Sequence, residues 1–552
     1  MFYFGGMAFN IADLFEHAVD AVPDRTALIV DGERRSYAEL ERNANRLAHH
    51  LATHDVDVGD HVGIYGVNSL EWVEAMLAAF KLRAVPINVN YRYVEDELRY
   101  LFDNADVRAV VVDRALAPRL ASIRRDLCAL RHIVRIDGPG ETRPDDVDGL
   151  DSVRYAVALA AGSPERDFPP RSPDDHYVLY TGGTTGMPKG VVWRHEDVFM
   201  ALGGGIDATT NEPVASEWAL AERARATETP LRSLCMTPLM HGLAQWSVLR
   251  FLFDGSTTVL TRRFDPHAAW RIVAEERINS FLVAGDAMAR PLIEALDDPA
   301  SDGLDLSSLF VVASTAAVLS PAIKQRFLAR FPSLMLVEAI GSSETGSNGM
   351  AVAAGATAEA SDGPNVTPAR DAVVLDDDLR ELPPGSGQIG RLARRGNIPL
   401  GYYKDEERTR ATFVTGPTGV RYVLAGDLAR READGTITLL GRGSSCINTG
   451  GEKVFPEEVE RVLKAHPAVF DALVVGVPDD RWGQRVVAVV EPRPGARVTL
   501  EELDRHCRQH VAGYKVPRAL TVVEAIERSP SGKPDYPWAQ RVATESAAAA
   551  ST

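Results

Sequence analysis

The run Tyr180-Thr181-Gly182-Gly183-Thr184-Thr185-Gly186-Met187-Pro188-Lys189-Gly190 constrains this chain more than any other stretch. It follows Tyr177-Val178-Leu179-Tyr180, a short apolar run that reads as a strand. Four glycines let backbone N–H groups come close to a ligand, because no Cβ stands between them. The hydroxyls of Thr181, Thr184 and Thr185 and the ammonium of Lys189 add further donors. Such a loop suits a polyphosphate. The Walker spacing G-x-x-x-x-G-K-[ST] is absent, and so is G-x-G-x-x-G. A Gly-rich run alone reads as a surface turn. Thr-Thr-Gly followed by Pro-Lys-Gly is too particular for that reading.

At 552 residues the chain is too long for one hydrophobic core, so two or more domains are expected. A net charge of −17 opposes non-specific binding to nucleic acid, which is driven by cationic contacts with phosphates. Any anionic substrate must be met by a local patch of Arg and Lys. Cys128, Cys235, Cys446 and Cys507 show no metal-like spacing, and each is expected to be a free buried thiol. Their scarcity fits a reducing, cytoplasmic location. No run approaches the ~20 apolar residues of a membrane span. The first residues lack a basic stretch and a cleavage pattern, and Met7 is a plausible alternative start. A homodimer is compatible with these properties.

Tyr37, Leu40, Ala44, Leu47, Ala48 and Leu51 recur at helical spacing. A strand-like run, 61–65, follows, then a helix around Val73, Leu77 and Phe80, then a strand-like run, 84–89. Alternating β and α units imply an α/β fold of parallel strands covered by helices. Segments 138–151 and 353–371 read as surface loops. The sharpest boundary falls at Gly441-Arg442-Gly443-Ser444-Ser445, after a strand-like run, 436–440. Beyond it, helix 456–465, strand 472–477 and helix 500–510 form a smaller α+β unit. The expected organisation is a large N-terminal domain, 1–443, a mobile C-terminal domain, 444–540, and a disordered tail, 541–552.

The glycine loop resembles the phosphate loop of the adenylate-forming superfamily: acyl-CoA synthetases, peptide-synthetase adenylation domains and luciferases. The family pattern is usually T-S-G-T-T-G-x-P-K-G, and Gly182 stands here where serine is usual. The resemblance runs from about residue 11 to 533, through several motifs in the expected order. In particular the chain resembles actinobacterial fatty-acyl and steroid side-chain CoA ligases. The resemblance implies that Ile340-Gly341-Ser342-Ser343-Glu344 is the family's Y-G-x-T-E element, with Ile340 replacing the aromatic. Gly341, Ser342 and Ser343 would then face adenine, and Glu344 would be the Mg²⁺ ligand, a hard donor for a hard ion. Ser342-Ser343-Glu344 also reads as a helix N-cap. Ser314, Thr315 and Ala316 match the segment that lines adenine. Asp427 matches the carboxylate that accepts from the ribose hydroxyls, with Arg442 beside it.

Ser529-Pro530-Ser531-Gly532-Lys533 resembles the catalytic-lysine loop, which makes Lys533 the implied catalytic residue. Gly450, Gly451 and Glu452 resemble the loop that lines the pantetheine path. Ser445 occupies the hinge position where the family usually has Asp, and Asn448 replaces a lysine. Pro238-Leu239-Met240-His241 matches the family's P-x-x-H element at the acyl pocket; His241 would be a wall, with Gly285 and Asp286 contributing another. The implied activity is ATP-dependent ligation of a small-molecule carboxylate to coenzyme A through an acyl-AMP. Two rivals are an acyl-AMP ligase that loads a carrier protein and a non-catalytic acyl-adenylate sensor. The presence of both Lys533 and Glu344 argues against the sensor.

Overall fold

The computed structural model describes residues 9–138, 150–183, 186–207, 210–317, 319–354, 365–442, 445–449, 452–479, 483–528 and 533–549. Local rules account for the first elements. The side chain of Ser36 accepts from Glu39 N (3.2 Å) and the Glu39 carboxylate accepts from Ser36 N (2.8 Å). This capping box starts the helix Tyr37–Ala52, whose apolar stripe is buried as its spacing predicts. Ser69 caps Leu70–Lys81 through Trp72 N (3.1 Å). That helix is buried on nearly all faces, including Lys81. Glu16 (2.5 Å) and Glu41 (3.0 Å) meet the buried ammonium, without which its desolvation would cost several kcal/mol.

The chain forms two compact units. The first comprises residues up to Leu282 with Gly303–Leu309 and Asn397–Phe413. It holds a five-stranded sheet in the order Val85–Asn88, His61–Tyr65, Val107–Asp113, His132–Ile136, Val153–Arg154, parallel throughout. This is the parallel sheet that the alternating pattern predicts. A second set of parallel strands, Thr26–Val30, Thr257–Leu260, Arg232–Cys235 and Ser280–Val283, lies in the order given. The hairpin His176–Gly183 and Gly186–Arg194 carries Gly401–Tyr402 on its outer edge.

The second unit comprises Val283–Asp302, Phe310–Gly396 and the residues from Val414 on. Val311–Ser314 runs parallel to Met335–Ser342, which turns back into Gly346–Ala354. The remaining strands of that sheet pair antiparallel. Segment 353–371 is not simply a loop: Asn365–Pro368 is a strand between Gly346–Ala354 and Ile437–Arg442. Most of segment 138–151 lies outside the described residues.

The last part of the second unit is an α+β module. Glu452–Val454, Ile447–Thr449, Gly483–Pro492 and Val469–Asp479 form a sheet in that order, and Ala519–Val522 pairs with Gly483–Pro492. The helix Tyr536–Ala549 corrects the expectation of a disordered tail from 541. Trp538, Ala539 and Ala543 recur at helical spacing and pack on Leu473, Val475, Val487 and Val489. The thiol expectation is corrected too: Cys235 and Cys507 are buried, but Cys128 is exposed and Cys446 half-buried. No helix among the described residues is long and apolar enough to cross a membrane.

His50, His54 and His132 cluster in the first unit. His50 Nε2 and His132 Nε2 lie 2.9 Å apart, the separation of one N–H···N bond between neutral rings. His54 stacks on His132 at 3.8 Å and 22°. One ion cannot lie in the planes of two stacked rings, so the cluster as folded is a hydrogen-bonded pair with a third ring against it. Burial, followed by the neighbouring imidazoles, pushes His50 and His132 down to about 4. Unfolded imidazoles titrate near ~6.5. Between these values the unfolded chain binds protons that the folded chain refuses, so stability falls as pH drops from about 6.5 towards 4. We expect the melting temperature to fall across that window, and His132→Gln to make the fall shallower. A variant whose melting curve parallels the wild type at every pH would assign the effect to other groups.

Candidate active site

The phosphate-loop motif folds as a hairpin. Register places Thr181 opposite Lys189 and Gly183 opposite Gly186, both side chains of the first pair being half-buried. Thr184 and Thr185 lie outside the described residues, and Gly182 belongs to the strand His176–Gly183.

His241 follows a buried irregular loop, Thr237 to Met240, and directly precedes the helix Gly242–Phe253. A buried loop has no ladder to satisfy its backbone, so side chains must do it. Asn68 Nδ2 donates to Thr237 O (3.0 Å) and Asn68 Oδ1 accepts from Leu239 N (2.7 Å). Gln245 Nε2 donates to Leu239 O (2.9 Å), while Gln245 Oε1 accepts from the Tyr177 hydroxyl (2.8 Å). Asn88 Nδ2 donates to Met240 O (2.7 Å) and to Tyr180 O (2.8 Å), and Asn88 Oδ1 accepts from Tyr180 N (2.8 Å). Asn88 therefore ties the first strand of the glycine-rich hairpin to the loop that leads into His241. Gly242 completes the junction, because a Cβ there would meet Leu179 Cδ2 at 2.4 Å. These amides were missed at the level of sequence. The one signal was an asparagine ending the apolar run Val85-Pro86-Ile87-Asn88.

In the second unit Ser314, and Gly341 with Ser342, stand at the C-terminal ends of two strands that pair parallel, the edge at which α/β sheets bind ligands. Ser314 ends Val311–Ser314, opposite Glu338 of the neighbouring strand. Its hydroxyl is buried and has no hydrogen-bond partner among the described residues. Ala316 has φ +67°, a left-handed conformation that a Cβ makes costly, by about 1–2 kcal/mol. Such strain clusters at ligand sites. Thr315 N donates to Val283 O (3.2 Å), which brings the Gly285-Asp286 segment alongside. Asp286 is not an idle wall: its Oδ1 accepts from Ser320 N (2.8 Å), and its Oδ2 meets Arg290 (3.3 Å).

Gly341 and Ser342 end Met335–Ser342, and residues 343–345 turn the chain into Gly346–Ala354. The N-cap expectation for Ser342-Ser343-Glu344 is therefore corrected, since a strand follows and not a helix. The Ser342 hydroxyl does accept from Thr345 N (3.2 Å), but it locks a hairpin turn, helped by Thr345 Oγ1 accepting from Ser342 N (3.1 Å). Gly341 is demanded by this turn, because a Cβ would meet Gly346 O at 2.2 Å. The turn carries Ser343 and Glu344, both half-buried. Beside it Asn348, unmarked in the sequence, donates to Thr345 Oγ1 (3.0 Å), and its buried Oδ1 has no hydrogen-bond partner among the described residues.

Asp427 and Arg442 lie directly opposite each other on the antiparallel strands Arg421–Arg431 and Ile437–Arg442. Residues 15 apart in sequence are thus register partners on one hairpin. Gly426 supplies a φ of +93° just before Asp427. Ser445 is half-buried, and Glu452 opens the strand Glu452–Val454. Gly450 and Gly451 lie outside the described residues. Lys533 is exposed, next to a bridge between Arg528 and Pro534.

Replacing Asn88 leaves three buried backbone groups without partners, at about 1–3 kcal/mol each. We expect Asn88→Ala to lower the melting temperature by several degrees and to speed amide exchange in peptides spanning 176–183 and 236–242 together. Faster exchange in only one of the two peptides would show that Asn88 does not couple them.

The family model for AMP-binding enzymes matches residues 15–403, and that for the AMP-binding enzyme C-terminal domain matches 458–533. A 3-oxocholest-4-en-26-oate–CoA ligase of Rhodococcus rhodochrous is 52% identical over 97% of this chain and 96% of its own length. A medium/long-chain-fatty-acid–CoA/3-oxocholest-4-en-26-oate–CoA ligase of Mycolicibacterium smegmatis is 50% identical over 98% and 97%. The solved anthranilate CoA ligase AuaEII, in complex with anthranoyl-AMP, shares the fold with a TM-score of 0.83 at 22% identity, covering 99% of each chain. With one family model spanning most of its length and a second matching its C-terminal module, this chain belongs to the AMP-binding enzymes.

Proposed function

We propose that this enzyme joins a medium- or long-chain fatty acid, or a steroid side-chain carboxylate, to coenzyme A at the expense of ATP. The observation that carries the reading is 52% identity over nearly the whole chain to a ligase named for a steroid side-chain acid. The relative at 50% identity is named for both acid classes. In the first step a carboxylate oxygen attacks the α-phosphorus of ATP, and pyrophosphate leaves. In the second the CoA sulfur attacks the acyl carbonyl, loses its proton, and AMP leaves.

Backbone N–H groups of the hairpin at 181–189, with Lys189, would hold the phosphates. Ser314, Thr315 and Ala316, with Gly341, Ser342 and Ser343, would line adenine; the buried hydroxyl of Ser314, without a hydrogen-bond partner among the described residues, supports this reading. Asp427 would accept from the ribose hydroxyls, with Arg442 opposite. The residues present suit Mg²⁺, since Glu344 is a hard oxygen donor on a turn locked by Ser342 and Thr345. When bound, the ion neutralises phosphate charge. Lys533 would carry positive charge to the α-phosphate as negative charge builds there. His241, Gly285 and Asp286 would bound the acyl group, and Gly450, Gly451 and Glu452 the pantetheine. The domain beyond Ser445, residues 444–540, would turn between the two steps, so that one domain serves both.

A panel of carboxylic acids, from short-chain to steroidal, assayed for AMP release with and without CoA, tests the reading. We expect AMP release that depends on both the acid and CoA, and highest rates with apolar acids of fatty or steroidal size. Acid-dependent pyrophosphate exchange with no consumption of CoA would favour carrier-protein loading instead. Lys533→Ala should slow pyrophosphate exchange by ~10²–10³-fold and leave ATP binding by calorimetry within a few-fold of wild type. Wild-type exchange in that variant would remove Lys533 from the chemistry.

A further inference from the structure

Lys533 stands one residue from a stem that the second unit holds on both sides. Before it, Ile526 N donates to Glu491 (2.8 Å). Arg528 then makes a forked pair with Asp471: its Nε donates to Oδ2 (2.7 Å) and its Nη2 to Oδ1 (2.8 Å). Arg528 is bridged in turn to Pro534. After it, Asp535 accepts from Trp538 N (2.9 Å) and so starts the final helix, whose Trp538, Ala539 and Ala543 pack on the sheet. Asp471 itself sits where a register shift interrupts the pairing of Val469–Asp479, on one of the two longest strands of the module. Ala472 N (2.8 Å) and Lys464 (3.2 Å) also face its carboxylate.

We infer that the Asp471–Arg528 pair sets the position of Lys533, which makes Asp471 a positioning residue for adenylate formation. The inference rests on the reading of Lys533 as the catalytic lysine. A single lysine loop attached only by its backbone would search a large volume, and each immobilised long side chain loses rotamer entropy. The planar guanidinium fork allows one orientation of the stem, which an ammonium would not enforce. Both partners are mostly buried, at 15% side-chain exposure each, so the pair is weakly screened by salt. Burial alone would raise the Asp471 carboxyl, but Lys464 and Arg528 outweigh it and hold it at about 2. Displacement of a catalytic group by about 1 Å can cost on the order of 10²-fold in rate.

Asp471→Asn keeps the volume and removes the charge; Arg528→Lys keeps the charge and removes the fork. Both are compared with wild type and Lys533→Ala in acid-dependent pyrophosphate exchange, in thioester formation from supplied acyl-AMP, and by circular dichroism melting. We expect both clamp variants to lose about tenfold or more in the kcat of exchange, with the KM for ATP and the thioester step within about twofold of wild type. Wild-type exchange in a folded clamp variant overturns the inference. So does a parallel fall in both half-reactions that tracks the folded fraction. If Asp471→Asn fails to fold, Arg528→Lys decides by the same criteria. If Lys533→Ala itself keeps wild-type exchange, the reading beneath the inference fails; if it is slow while the clamp variants are fast, only the clamp fails.

Discussion

A loop buried beside a strand must satisfy every backbone donor and acceptor it carries, and the first unit of this enzyme depends on how it does so. Thr237 to Met240 run through the interior without a ladder. Asn68, Asn88 and Gln245 supply the missing partners. Each left unmade would cost about 1–3 kcal/mol. Because Asn88 also takes both backbone groups of Tyr180, the cost is shared with the strand entering the phosphate hairpin. Solving a desolvation problem thereby fixes the relation between the hairpin and the loop before His241.

The second unit solves a related problem with charge. The residues proposed to bind nucleotide stand on strand ends and a hairpin turn, held by hydrogen bonds between Ser342 and Thr345. In its last module two half-buried acids, Glu491 and Asp471, hold the chain before Lys533 through Ile526 N and Arg528. Buried carboxylates are unfavourable unless paired, and here the pairing partners are the chain segments that need anchoring. The Asp471–Arg528 pair lies entirely within this module.

Much of this was legible along the chain. The helix at Tyr37–Ala52 announced itself through a capping box and an apolar stripe, and the parallel sheet through alternating patterns. The glycine-threonine loop, the Gly-Asp turn at 426–427 and the C-terminal Gly-Lys pair carried the family resemblance, which the comparisons bear out at the level of family. Readings failed where two structures share one local signature. Ser342-Ser343-Glu344 looks like a helix start, and a hydroxyl does accept from the backbone N–H three residues on, yet the left-handed Gly346 (φ +68°) turns the chain into a strand. An Ala- and Ser-rich tail looks structureless until Trp538, Ala539 and Ala543 find a sheet to cover.

The sequence by itself determined the α/β class, the motifs and their order, because these are patterns among neighbours in the chain: hydrophobic periods, caps, glycines where the backbone must come close. Only the tertiary structure decided which polar residues hold those motifs in place. Asn88 lies 92 residues from Tyr180 and 152 from Met240, and Asp471 lies 57 from Arg528. No local period encodes such pairings. An asparagine in an apolar strand or an aspartate at a bulge shows its purpose only when folding brings an unsatisfied group within hydrogen-bond reach, and burial makes the bond obligatory.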